Sequence, residues 1–230
     1  MNNGFVYVAS KHEEFINAAR FSANSLKDFW PESNITLFTH KEWVKEDDNS
    51  IFNNIITKDV PHHKRAKLWA LDKTPYELTC YIDSDTYIVN GEIKKIFKQH
   101  VIDSDISLTR ARRYAAAIEC RFKGGELTDH CGLFIYNNKP HTMNFMKQWW
   151  LLYCQQDEKK WNWNTDLYPE YLRQWDMWTY WWLQNMTEHR IKRSYFPHPD
   201  AKWNFVYVYK EKELDGHEPI IIHQPVPRKK

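Results

Sequence analysis

The sequence predicts an α/β fold, a Rossmann-like, mostly parallel mixed sheet flanked by helices. Three observations carry this expectation. Through the first half of the chain, short β-branched runs alternate with segments of helical period, the pattern of right-handed βαβ units. The apolar run CYIDSDTYIV at 80–89 encloses two aspartates, Asp83 and Asp85, and parallel sheets bind ligands beyond the carboxyl ends of their strands. No stretch reaches about eighteen consecutive apolar residues, so no segment is expected to span a membrane.

The elements follow in order. FVYVAS (5–10) reads as a first strand. Residues 13–29 have helical spacing and stop before Pro31. ITLFT (35–39) and NIITKDV (54–60) read as strands, KRAKLWALDK (64–73) as a short helix, and TCYID as the next strand. Beyond it, DISLTR (105–110) and CGLFIYN (131–137) read as strands and residues 141–156 as a helix. Residues 177–186 read as a second helix, and RIKRSYF (190–196) and PIIIH (219–223) as extended segments. No repeat or low-complexity linker divides the chain.

Composition narrows the class. With 230 residues the chain can bury a sizeable single core. The 32 Lys+Arg and 30 Asp+Glu nearly cancel, so nucleic acid is not an expected partner. The start, MNNGFVYVAS, has neither a basic nor a long apolar region, and no signal peptide is expected. Cys80, Cys120, Cys131 and Cys154 are widely spaced and form no CxxC pair. That pattern suits reduced thiols in a cytoplasmic protein better than a zinc or disulfide scaffold. The chain carries 12 Trp, eight of them between Trp149 and Trp182. Aromatic faces stack on sugars, yet core packing is the default reading.

Asp83 and Asp85 raise the chemical question. An unpaired carboxylate in an apolar run costs several kcal/mol. Residues i and i+2 share a strand face, so the two carboxylates point together where the strand gives out. Ser84 lies between them. Such a hard, anionic oxygen site suits Mg²⁺ or Mn²⁺ held partly by substrate phosphates.

At this point the residues resemble a family. KLWALDKTPYELTCYIDSDTYIV (67–89) is similar to the donor-site segment of glycogenin-like retaining glycosyltransferases of GT-A fold, which include bacterial lipopolysaccharide galactosyltransferases. HCGLFIYN (130–137), Asp176 at the head of the Trp-rich helix and IIIHQPVPRK (220–229) fall in the family's order. The resemblance implies one domain over 1–230, with a nucleotide-binding half (1–110) and an acceptor-side half (111–230). It implies Mn²⁺ (or Mg²⁺) held by Asp83, Asp85 and His223, bridging the diphosphate of a nucleotide sugar. A UDP-sugar is favoured over a GDP-sugar, and the acceptor is a glycan or another hydroxyl compound. Val8, Ala9, Ser10, Lys67, Ser84 and Lys229 are the implied donor contacts, and Asp176, Asp129 and His130 the implied catalytic side chains. The chain departs from the family at three places. His130-Cys131 stands for Asn-Ser, Met177 for the Gln after Asp176, and Val226 lies near the place of a Gly.

Two rival functions use the same residues. A metal-dependent phosphatase or nucleotidyltransferase could use the Asp pair, although Tyr87 stands where one such phosphatase class wants Thr or Val. A non-catalytic carbohydrate-binding protein could use the Trp cluster. Asp176 also reads as a helix N-cap. RARRY (110–114) and His62-His63-Lys64 read as solvated segments.

Overall fold

The computed structural model describes residues 2–111, 121–123, 125–206 and 214–224. Lys229, Val226, Cys120 and most of the RARRY segment lie outside these residues.

The chain opens with β1 (Asn3–Val8), α1 (Glu14–Phe29), β2 (Ile35–Phe38), α2 (Asp48–Ile51) and β3 (Asn54–Ile56). It continues with α3 (Ala66–Ala70), β4 (Leu78–Ile82), β5 (Thr86–Ile88) and β6 (Ile106–Arg110). A small hairpin, β7 (Arg121–Phe122) with β8 (Gly125–Glu126), leads to β9 (Asp129–Asn137). The remainder comprises α4 (Pro140–Asp157), α5 (Asp176–Met186), β10 (Arg193–Tyr195), β11 (Phe205–Val206) and β12 (Ile221–His223). No helix among the described residues is long and apolar enough to cross a membrane.

Seven strands form the main sheet in the order β10-β6-β9-β4-β1-β2-β3. β4, β1, β2 and β3 run parallel. β9 is antiparallel to both its neighbours, and β10 is parallel to β6. The expected parallel, mixed character is therefore present, with β9 as the reversed strand. A second sheet has the order β11-β12-β5.

Strand alternation builds two cores, one on each face of the main sheet. Phe5, Tyr7, Cys80, Ile82, Leu133 and Ile135 face one. Val6, Tyr81, Phe134 and Tyr136 face the other. Strands buried on both faces read as continuous apolar runs, which is why the sequence displays them. α1 packs Ile16, Ala19, Ala23 and Leu26 inward, a stripe of helical spacing.

The tryptophans settle into packing. Trp149 and Trp178 are fully buried. Trp178 lies between Trp163, with ring centroids 4.4 Å apart, and Trp182 at 5.3 Å. Trp178 and Trp182 belong to α5, and Trp163 comes from the segment between α4 and α5.

Candidate active site

The two sheets meet at the aspartates. β4 ends at Ile82, and the chain leaves the main sheet through a turn at 83–85 before entering the second sheet at Thr86. Asp83 and Asp85 thus lie just past the strand rather than within it, and the turn, not strand alternation, sets their directions. Three neighbours hold this turn. The Asp83 amide donates to Gly132 O on β9 at 2.9 Å. Ser84 Oγ donates to Val8 O at 3.0 Å, tying the turn to the end of β1. Thr86 Oγ1 donates to Asp83 O at 2.8 Å and contacts Ser22 Oγ on α1 at 3.0 Å.

The second sheet delivers the third group. β12 runs antiparallel to β5 with His223 opposite Thr86. That register sets the imidazole beside the preceding turn. His223 Nε2 is 3.1 Å from Asp85 Oδ1 and 3.9 Å from Asp83 Oδ2. One ligand atom from each of Asp83, Asp85 and His223 lies within 4.8 Å of the other two.

Two further features fit this triad to a divalent cation. Asn204, buried, accepts from His223 Nδ1 at 3.0 Å and donates from Nδ2 to Thr109 Oγ1 at 3.0 Å. A proton fixed on Nδ1 leaves the Nε2 lone pair facing the carboxylates, the usual support of a metal-ligating histidine. Gly132 provides space. A Cβ there would lie 2.7 Å from Asp83 Oδ2, 2.8 Å from His223 Cε1 and 2.6 Å from His130 Cε1.

Charge is balanced within the site. Burial alone would lower the His223 pKa, but the bond to Asp85 and the carboxylate charges raise it above the ordinary imidazole value. Burial alone would raise the Asp85 carboxyl, and His223 brings it below its usual value. A divalent cation bound to Nε2 takes the place of the imidazolium proton.

Lys67 sits behind the triad, nearly buried. Its Nζ is 2.8 Å from Asp176 Oδ2, 3.2 Å from Asp83 Oδ1 and 2.8 Å from Cys131 O. Burial opposes its charge, but the two aspartates raise its pKa above the ordinary lysine value. Arg65 Nε lies 3.6 Å from Asp176 Oδ1. Burial would raise the Asp176 carboxyl, yet Arg65 and Lys67 hold it down at about 2. Asp176 is the first residue of α5, whose N-cap is Trp175. Its carboxylate serves this ion-pair cluster.

A cleft of about 240 Å³ opens over the turn, lined by Val8, Ser10, Arg65, Lys67, Asp83, Ser84 and Asp85 among others. Of the remaining sequence candidates, Ala9 is fully buried in the core behind β1. His130 joins the site, accepting at Nδ1 from Asn204 Nδ2 at 2.8 Å and from the Gly132 amide at 3.1 Å. Asp129 is occupied differently, in contact with Arg193 at 2.6 Å and Tyr195 at 2.7 Å. Burial raises its pKa against the pull of Arg193.

Sequence reading missed Asn204, Gly132 and Arg65 as parts of the site. Asn204 and His223 are 19 residues apart with no pattern between them, so only the tertiary fold reveals their pairing. Asn204→Ala should weaken divalent-cation binding about 10- to 100-fold with little change in the fold. Mn²⁺ titration by calorimetry measures this, and unchanged affinity would show that Asn204 does not orient His223.

The fold and site together define a GT-A-type α/β protein with a carboxylate–imidazole centre at the carboxyl edge of its parallel strands. No protein-family model and no curated protein matches the chain. Solved structures of glycosyltransferases share its fold. The glycosyltransferase GlyE of Streptococcus pneumoniae TIGR4 superposes with a TM-score of 0.66 at 15% identity, over 96% of this chain and 54% of that one. The galactosyltransferase LgtC, solved with donor and acceptor sugar analogs, gives 0.58 at 12% identity, covering 98% of this chain and 88% of its own. Mouse xyloside xylosyltransferase 1 gives 0.56 at 12% identity, covering both chains fully. The chain thus spans about half the length of the solved GlyE chain and the full length of the solved mouse chain. The likeness establishes the GT-A fold.

Proposed function

We propose that this chain is a metal-dependent glycosyltransferase moving a sugar from a nucleoside-diphosphate sugar to an acceptor hydroxyl, with retention. The observation that carries the reading is the convergence of Asp83, Asp85 and His223 beside a cleft at the carboxyl ends of β1 and β4. Ligand sites of open α/β sheets fall at this edge.

The residues take distinct roles in this reading. Asp83, Asp85 and His223 hold Mn²⁺ (or Mg²⁺). When bound, the ion acts as a Lewis acid that stabilises the leaving nucleoside diphosphate. Val8, Ser10 and Ser84 border the nucleoside, with Ala9 shaping that wall from behind. Lys67 holds the Asp83 carboxylate in place, and Lys229 contacts phosphate. His130 faces the donor sugar. Asp129, held by Arg193 and Tyr195, acts on the reaction as a positioning group. Asp176 is committed to Lys67 and Arg65, which opposes a role as covalent nucleophile and favours attack from the leaving-group face. A UDP-sugar is the favoured donor and a GDP-sugar the second. The nucleotide half is 1–110 and the acceptor half 111–230. Cys80, Cys131 and Cys154 are free thiols, in keeping with a cytoplasmic location.

A thermal-shift titration with UDP, GDP and their sugar conjugates, with and without Mn²⁺, tests the proposal. A ligand bound only by the native state raises the melting temperature as ln(1 + [L]/Kd). The expected result is strong stabilisation by one nucleotide in the presence of Mn²⁺ alone. Absence of any nucleotide shift, with or without Mn²⁺, would overturn the nucleotide-sugar reading.

A further inference from the structure

A second cluster lies on the rim of the same sheet edge, outside the site just described. His40 follows β2 and Glu42 belongs to the 3-10 turn Lys41–Trp43. His62 belongs to the loop that leads into α3. One ligand atom from each of His40, Glu42 and His62 lies within 4.8 Å of the other two. The two imidazoles stack face to face, with centroids 3.5 Å apart and planes 3° from parallel. Trp43 presents its ring perpendicular to both, 4.6 Å from His40 and 6.1 Å from His62. The indole packs edge-on against the buried His40, while His62 stays open to solvent.

Hydrogen-bond accounting decides which nitrogen of His40 is available. Ser10 Oγ has a single proton and donates it to Pro61 O at 2.5 Å. The same oxygen lies 2.8 Å from His40 Nε2. With the hydroxyl proton committed, His40 Nε2 must be the donor in that contact. Nδ1 then carries the lone pair. A buried imidazole whose far N–H is bound to a hydroxyl, itself bound to a backbone carbonyl, has the outer support of a metal ligand. His62 and Glu42 are open to solvent, with side chains 62% and 61% exposed and Nε2 3.9 Å from Oε1. The stacked rings hold their lone pairs in parallel planes, so ligation of one ion requires the exposed His62 ring to turn out of the stack toward His40 Nδ1, with Glu42 following it.

We infer that His40, Glu42 and His62 form a second metal site that takes a nitrogen-preferring divalent ion of the Zn²⁺ type. Two imidazoles and one carboxylate with an open position are a common zinc set. The donor set differs in kind from Asp83, Asp85 and His223, where two carboxylates to one imidazole favour Mn²⁺. The site joins the segment after β2 to the loop before Arg65 and Lys67. Ser10, which lines the cleft, is bonded to both segments. An ion at this place clamps one wall of the cleft, so its occupancy is coupled to the shape of the nucleotide side.

The test uses the full chain and Zn²⁺ itself, measured in competition with a colorimetric chelator, with Co²⁺ absorption as a second readout. The Asp85→Ala variant removes a ligand of the other centre. It should still bind one equivalent of Zn²⁺ and give the visible bands of tetrahedral Co²⁺. Adding His62→Ala should weaken that binding at least about tenfold and abolish the bands. Glu42→Gln should weaken it less. In the otherwise native chain, His62→Ala should reduce bound Zn²⁺ by one equivalent, so the result stands even if Asp85→Ala folds poorly. Melting without metal should be the same with and without His62→Ala, because that side chain lies at the surface. Zn²⁺ stoichiometry unaffected by His62→Ala overturns the inference, as does an Asp85→Ala chain that folds and binds no Zn²⁺. Neither result bears on whether the chain is a glycosyltransferase.

Discussion

On the proposed function, Asp85→Ala should abolish Mn²⁺-dependent nucleotide binding and lower sugar transfer by at least about 10²- to 10³-fold, or roughly 3–4 kcal/mol of transition-state stabilisation. Asp85 is the partner closest to His223, 3.1 Å from Nε2. Its loss removes one anionic ligand and leaves the imidazole without its nearest carboxylate. The fold should survive, since the side chain is about one-third exposed, at 32%. Circular dichroism establishes the fold, calorimetry the Mn²⁺ affinity, and a donor-hydrolysis or transfer assay the rate. A variant that keeps Mn²⁺-dependent activity would remove Asp85 from the metal centre. The same centre has a pH signature. His223 holds its proton above the ordinary imidazole range, and a metal must displace that proton. Mn²⁺ affinity should therefore fall about tenfold per pH unit as pH drops below the His223 value.

Lys67→Met should destabilise the protein by about 3–5 kcal/mol, the usual effect of removing one partner of a buried ion pair. The ammonium touches Asp176, Asp83 and the Cys131 carbonyl at once. Methionine fills much of the volume and supplies none of the charge. For a domain of this size the melting temperature should drop by about 10 °C. A loss below about 1 kcal/mol would mean that Arg65 alone satisfies Asp176. Acid melting gives an independent check. The folded Asp176 carboxyl, at about 2, lies below its unfolded value of about 3.9. Its contribution is thus fully present above about pH 4 and fades as pH falls from there toward 2. Asp176→Asn should be less stable at pH 7 and should decline less steeply across that acid window.

Much of this architecture is legible in the amino-acid sequence. β1, β2, β4 and β9 are buried on both faces and appear as β-branched or aromatic runs. α1 shows its inward stripe and its stop before Pro31. Asp83 and Asp85 stand out because carboxylates in apolar surroundings need compensation. The resemblance of 67–89 and 220–229 to one enzyme family singles out His223 and Lys67. Other parts have no local signature. β5, β11 and the 3-10 turns are too short to carry a period. β3 ends at Ile56, earlier than the expected strand 54–60, because the chain turns at residues 58–59, where Asp59 takes a φ of 58°, and Val60 then packs into the core from the following loop.

The α/β class, the strands of the parallel half and the carboxylate pair at its edge follow from the order of residues, because burial and periodicity are written into neighbouring positions. How those carboxylates are satisfied is a matter of tertiary arrangement. His223 reaches them because β12 pairs with β5 in one register, and Asn204 orients it from a separate segment. Gly132 leaves room from a third strand, and Lys67 binds Asp176 across more than a hundred residues of chain. The first three contacts depend on sheet order and strand register, the last on how α3 and α5 pack, and no short stretch of sequence specifies any of these.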